Sequence, residues 1–164
     1  MFIAYNREAS CGTILGSCVA TVIWDPVVEI GGLNHLLLPP SGALDPYSEE
    51  HEVNLMELLI NGVLRQGASR ARLEAKVFGG ARMIDGLGTT GPANAAFVER
   101  YLEAERIPCT ARSLGGRHAR RLLAWPAQGR IQQLRLRRFD EVINQYDSAA
   151  LRARALRLSG VELL

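Results

Sequence analysis

The spacing of apolar positions changes twice along this chain. From Thr13 to Trp24 the residues are apolar and β-branched, with Val19, Thr21 and Ile23 on one face, and the run predicts a strand. Asp25-Pro26 turns the chain, and Glu29 to Leu38 returns as a second strand that opens at Gly31-Gly32. Pro39-Pro40-Ser41-Gly42 stops it, and a polar loop follows through Glu52. The period then becomes helical. Between Val53 and Gln66 an apolar stripe of Met56, Leu59, Ile60 and Val63 predicts a helix with one face on a sheet, ended by Gly67.

Beyond it, Arg72 to Phe78 reads as a short strand ending in Gly79-Gly80. Pro92 suits a first helical turn and opens a second helix, in which Phe97, Tyr101 and Ala104 share a face. Thr110 to Leu114, Arg120 to Trp125 and Ile131 to Leu136 read as an antiparallel meander, its last two strands joined at Pro126 to Gly129. Asp140 to Leu158 reads as a terminal helix. Two main helices and a C-terminal helix against a largely antiparallel sheet make the expected class α+β rather than doubly wound. No repeat, low-complexity tract or linker divides the chain. The expectation is a single domain over 1–138, with 139–164 as a helical extension of it.

Composition narrows the classes. With 48% hydrophobic and 22% charged residues the chain is that of a folded globular protein. Apolar runs such as Leu36 to Pro40 and Leu58 to Ile60 are far short of the roughly 20 residues a membrane helix needs. Met1 to Arg7 has no apolar core of an export signal, so a cytoplasmic location without membrane insertion is expected. Cys11, Cys18 and Cys109 form an odd set without framework spacing, consistent with reduced thiols. The net charge is +2, but Arg112 to Arg138 holds eight arginines and no acidic residue. Alternation such as Arg135-Leu136-Arg137 points arginines outward on a solvated sheet face. No interleaved aromatics accompany them, which argues against nucleic acid, and docking of an acidic protein is the remaining alternative.

The sharpest chemical signal is Leu15-Gly16-Ser17-Cys18-Val19, followed by His35 in Gly31-Gly32-Leu33-Asn34-His35. A cysteine behind Gly-Ser at a strand start can sit on a tight turn whose backbone N–H groups face a developing oxyanion. If Asp25-Pro26 is the turn, Cys18 and His35 lie at similar distances from it and antiparallel pairing brings them into reach. Taken by themselves, the residues fit an inert core thiol and a satisfied core histidine better than a catalytic pair. A metal site from Cys11, Cys18, His35 and His51 lacks short ligand spacing, so no metal is expected. Gly86-Leu87-Gly88-Thr89-Thr90-Gly91 satisfies a dinucleotide fingerprint, but Arg106 to Arg112, where the ribose-binding acid belongs, contains none. A glycine-rich rim beside the site is preferred. There Asn94 would bind a substrate amide or hold the loop, and no cofactor is expected.

The motif Thr13-Ile14-Leu15-Gly16-Ser17-Cys18-Val19, then Trp24-Asp25-Pro26, then Gly31 to His35, resembles the CheD chemoreceptor glutamine deamidases. Ala75-Lys76-Val77-Phe78-Gly79-Gly80-Ala81, Gly91-Pro92-Ala93-Asn94, Ile107-Pro108, Leu114-Gly115-Gly116 and Gly129-Arg130 agree in order, so the resemblance spans about residues 13 to 138. Two blocks depart from the family pattern. Thr90 stands where an isoleucine is usual, and His51-Glu52-Val53-Asn54 where an aromatic and small residues are usual.

The resemblance implies a cysteine amidohydrolase domain that converts receptor glutamines to glutamates in bacterial chemotaxis, with Cys18, His35 and Thr13 as catalytic residues. It also implies chemoreceptor cytoplasmic helices as partners and, in some systems, a CheC-like phosphatase. Gly16, Ser17, Asn34 and Asn94 are the expected oxyanion or substrate-binding residues. A thioester route would also cleave glutamate methyl esters, an expected second reaction. The rival expectation is a non-catalytic docking protein whose arginine-rich face binds an acidic partner.

Overall fold

A computed structural model describes residues 1–37, 46–82 and 89–136. The predicted terminal helix, Arg137, the Pro39–Gly42 stop and the Gly86–Gly88 end of the glycine-rich run lie outside the described residues.

The class is α+β, built in three layers. A five-stranded sheet has the order β1-β4-β3-β5-β6, from β1 (Phe2–Ala4), β4 (Ile30–Leu36), β3 (Val19–Asp25), β5 (Glu74–Gly79) and β6 (Cys109–Leu114). A three-stranded sheet, β2-β7-β8, combines β2 (Cys11–Leu15), β7 (Arg120–Trp125) and β8 (Arg130–Arg135). Helices α1 (Pro46–Arg65) and α2 (Thr90–Ala104) share one face of the larger sheet. The smaller sheet covers the other.

Strand alternation assigns the core. Val19 and Ile23 of β3 pack beneath Met56, Leu59, Ile60 and Val63 of α1 and Val98 and Leu102 of α2. Ala20 and Val22 point the other way, toward Leu15, Leu122 and Ala124 of the second sheet. Every residue of β3 is therefore buried, which is why its sequence is continuously apolar rather than alternating. The helical stripe predicted on α1 is the buried one. On α2, Phe97 and Tyr101 are buried as expected, but Ala104 is exposed and Val98 and Leu102 complete the face.

Two expectations are corrected. The single strand predicted from Thr13 to Trp24 is two strands, β2 and β3, in different sheets, with the chain crossing between them at 16–18. The predicted meander is also broken up. β6 runs parallel to β5 in the larger sheet, and only β7 and β8 form the antiparallel hairpin, joined by a short 3₁₀ turn at Pro126–Gln128. Side-chain alternation along a strand does not specify which neighbour it pairs with, so β6 could not be placed from its own pattern.

Asp25 fastens the frame. Its buried carboxylate accepts bonds from the Val27 N–H (2.9 Å), the Ser69 N–H (2.8 Å) and Arg72 Nη2 (2.7 Å). The β3–β4 turn is thereby tied to the segment entering β5. Burial pushes the Asp25 pKa up, but the Arg72 and backbone hydrogen bonds outweigh it and hold the value at about 2. Among the described residues, no helix is long and apolar enough to cross a membrane.

Candidate active site

The β3–β4 hairpin sets the geometry. Its register places Ala20 opposite His35, so Cys18, two residues before Ala20, lies on the same face and diagonal to the histidine. That face looks toward the second sheet, where Cys18 packs with Leu15, Ala20, Phe78 and Leu122. Within β4, His35 is the one exposed residue. On β2, Cys11 and Leu15 face inward, and Thr13 between them does the same. Thr13 Oγ1 lies 3.0 Å from His35 Nδ1, a hydrogen bond that joins the two sheets across the site.

The turn carrying Cys18 is anchored by its carbonyls. The Ala81 N–H donates to Gly16 O (2.9 Å), Asn94 Nδ2 to Ser17 O (2.8 Å), and the Gly80 N–H to Cys18 O (2.8 Å). In a planar trans peptide the N–H points opposite the carbonyl. With the carbonyls of Gly16 and Ser17 drawn toward Ala81 and Asn94, the N–H groups of Ser17 and Cys18 face the other way. Gly79 makes this close approach possible: its φ is +114°, and a Cβ there would fall 2.1 Å from Cys18 O. Arg120 braces the same loop from behind, donating through Nη1 to Gly79 O (3.2 Å) and through Nη2 to Gly115 O. This arginine is 4% exposed, a correction to the outward-facing reading of its stretch. Arg135 is exposed beside buried Leu136, as the alternation predicted.

The resting electrostatics favour neutral partners. Burial pushes the Cys18 thiol above its ordinary value. The Cys18 backbone N–H and the Ser17 hydroxyl pull it down, and the charge of Glu52 adds to the rise. Desolvation lowers the His35 pKa, and the N-terminal ammonium pushes in the same direction. Both shifts favour the neutral forms of the two groups. Cys11, also a free thiol, is pushed by burial to about 11.

The expected site residues divide cleanly. Thr13 and His35 are hydrogen-bonded, Cys18 lies on the His35 face of the hairpin, and Gly16 and Ser17 form the turn before it. Asn94 is 1% exposed and holds that turn. Asn34 is 3% exposed and points to the opposite face, where its Nδ2 donates to Met56 Sδ (3.3 Å) and Leu55 O (3.5 Å), so it does not share the face of His35. Sequence reasoning missed two contributors. The clamp by Gly79 to Ala81 was signalled by the glycine doublet after a strand. Glu52, 2% exposed, was assigned to a polar loop although it precedes Met56 by one helical repeat.

Among the described residues no group of three or more potential ligands is arranged to hold a metal ion.

The family model described as CheD chemotactic sensory transduction matches residues 38–135. That match begins beyond Thr13, Cys18 and His35. The chain is also similar to curated proteins named probable chemoreceptor glutamine deamidase CheD. It is 53% identical over 133 residues to one from Cereibacter sphaeroides, covering 81% of this chain and 67% of that protein. Against one from Caulobacter sp. the identity is 51% over 133 residues, covering 80% and 71%. Against one from Rhizobium etli it is 52% over 132 residues, covering 78% and 71%. The chain thus spans about two thirds of the length of the first of these relatives. With the family model matching over half of its residues and half of all aligned positions identical, the chain belongs to the CheD family.

Proposed function

We propose that this protein is a chemoreceptor glutamine deamidase that works in the cytoplasm through a thioester on Cys18. The observation that carries the mechanism is the 3.0 Å Thr13–His35 hydrogen bond. The names of the relatives support the substrate class.

With His35 Nδ1–H donating to Thr13 Oγ1, the lone pair on Nε2 is left to take a proton, the tautomer a general base needs. His35 removes the Cys18 proton as the sulfur attacks the side-chain carbonyl of a substrate glutamine. The N–H groups of Ser17 and Cys18 stabilise the oxyanion, an effect worth about 10²–10³ in rate per donor in related chemistry. The imidazolium returns its proton to the nitrogen, the C–N bond breaks, ammonia leaves and a thioester remains. Water, deprotonated by His35, then cleaves the C–S bond to give glutamate and the free thiol. The same route would open a glutamate methyl ester, releasing methanol in place of ammonia.

Incubation with receptor cytoplasmic helices tests this. Conversion of glutamine to glutamate, read by peptide mass, is expected for the native protein. Unchanged peptides across a panel of receptor helices would refute the reading.

A further inference from the structure

Cys18, Gly80 and Gly115 stand side by side at one end of the larger sheet, where Val19 of β3 pairs with Gly79 of β5, and Gly79 in turn with Leu114 of β6. His35 lies on the other flank of Cys18, on β4. Away from His35, a cavity of about 290 Å³ opens at the β5 and β6 ends, lined by Gly80, Arg82, Pro92, Gly115, Gly116 and Arg117. Its walls are tied to the Cys18 turn. The Gly80 N–H donates to Cys18 O (2.8 Å), the Arg82 N–H to Gly116 O (2.8 Å) and the Gly115 N–H to Gly79 O (2.9 Å). Gly115 and Gly116 border open space: a Cβ on Gly115 would meet nothing within 4 Å, and one on Gly116 only Arg120 Nη2 at 3.8 Å. Both lining arginines are exposed, and among the described residues that line the cavity none is acidic. Behind the glycines, Arg120 adds a third guanidinium. It is 4% exposed, its Nε has no hydrogen-bond partner, and its other bonds go to the Gly79 and Gly115 carbonyls. Among the described residues no carboxylate pairs with it. A buried cation without a counter-charge is costly, and an anion in the adjoining cavity would offset that cost.

We propose that this cavity is a subsite for a carboxylate side chain of the protein substrate, beside the glutamine that Cys18 attacks, with Arg82 and Arg117 as specificity-determining residues. The inference rests on the reading of this protein as a receptor-glutamine deamidase. Neighbouring strands are about 4.8 Å apart, so the β6 end of the cavity lies two strands, or about 10 Å, from Cys18. On a helix, a residue seven positions away shares the face and stands about 10.5 Å along the axis. A receptor helix laid across this end of the sheet thus presents its glutamine to Cys18 and a glutamate two turns away to the arginines. A guanidinium can hold a carboxylate by two parallel hydrogen bonds, which fixes register as well as charge. Because both arginines are exposed, the attraction is salt-sensitive and helps to steer the helix into place. The product of one turnover is itself a glutamate, so a first deamidation creates the anchor for a second glutamine seven positions away.

The test offers the full chain two receptor-helix peptides that differ only at the positions seven residues to either side of the target glutamine, with Glu there in one and Ala in the other. Affinity is read by fluorescence anisotropy and deamidation by peptide mass, in low and in high salt. The Glu peptide is expected to bind about tenfold more tightly in low salt and to lose most of that advantage in high salt. Arg82→Gln combined with Arg117→Gln is expected to bring the two peptides to equal affinity. Arg82→Glu combined with Arg117→Glu is expected to reverse the order in favour of a peptide with Lys at those positions. If a double variant does not fold, each single replacement is expected to lower the preference. Equal affinity for the Glu and Ala peptides in the native protein, or an undiminished preference in the Gln variants, overturns the inference. Binding of inorganic phosphate alongside such equality would assign the cavity to a free anion. A Glu peptide that binds preferentially yet is never deamidated refutes the deamidase reading, whereas deamidation of both peptides with equal affinity refutes the subsite alone.

Discussion

Thr13 and His35 lie on different sheets, 22 positions apart in the chain, and meet through a 3.0 Å hydrogen bond between Oγ1 and Nδ1. Replacement of Thr13 by Val keeps the β-branched shape and removes the oxygen. The rate of deamidation is expected to fall about tenfold or more, within the range of general-base contributions, with unchanged circular dichroism. Thr13→Ser is expected to retain most activity. A fully active Thr13→Val protein would remove this residue from the site.

Cys18→Ala is expected to abolish deamidation and leave the fold intact, because the half-buried thiol contributes little packing beyond its contact with Leu15 and Phe78. The comparison is the initial rate on one receptor peptide. A rate within tenfold of the native protein would mean that another group is the nucleophile.

The acid side of the activity profile is set by His35. Its lowered pKa means that the imidazole sheds its proton below its ordinary value, so the base is ready throughout the neutral range. Activity is expected to persist below the ordinary imidazole pKa of about 6.5 and to fall at lower pH still, as His35 becomes protonated. A limb that instead rises steeply through about pH 8 to pH 9 would assign the rate to bulk thiolate formation.

Gly79→Ala is expected to damage the site more than the fold. A methyl group there meets Cys18 O at 2.1 Å and demands a φ of +114° that L side chains avoid. Either the β5 end or the Cys18 turn must shift, and a loss of about 2 kcal/mol in stability is in keeping with such strain. Thermal melts and rates on the same preparation separate the two effects. A native rate would show that the turn tolerates displacement.

Asp25 makes folding pH-dependent. Its pKa is held at about 2 in the folded state and sits near 3.9 when unfolded, so the unfolded chain binds the proton more readily. The stabilisation is present above about pH 4 and is lost as the pH falls toward about 2. Arg72→Ala leaves the carboxylate buried without its guanidinium and is expected to cost about 2 kcal/mol, measured by urea unfolding at neutral pH. An unfolding midpoint unaltered by that change would show that the Ser69 and Val27 N–H groups suffice.

Local patterns carried much of this protein. The continuous apolar run, the Asp25-Pro26 turn and the glycine-led return determined the β3–β4 hairpin. A hairpin register is a counting problem, so Cys18 and His35 could be brought together from the chain alone. The stripe of Met56, Leu59, Ile60 and Val63 likewise determined which face of α1 is buried. Sheet membership was different. The break at 16–18 sends β2 and β3 to separate layers, and β6 joins β5 in parallel, because long-range pairing depends on which edges remain open once the core has closed. That closure decides the Thr13–His35 bond, turns Asn34 and His35 to opposite faces and draws Arg120 inward to brace Gly79. It also buries Glu52 at the head of the α1 stripe, since the periodicity of a helix says which residues share a face but not which residue of another element that face will cover.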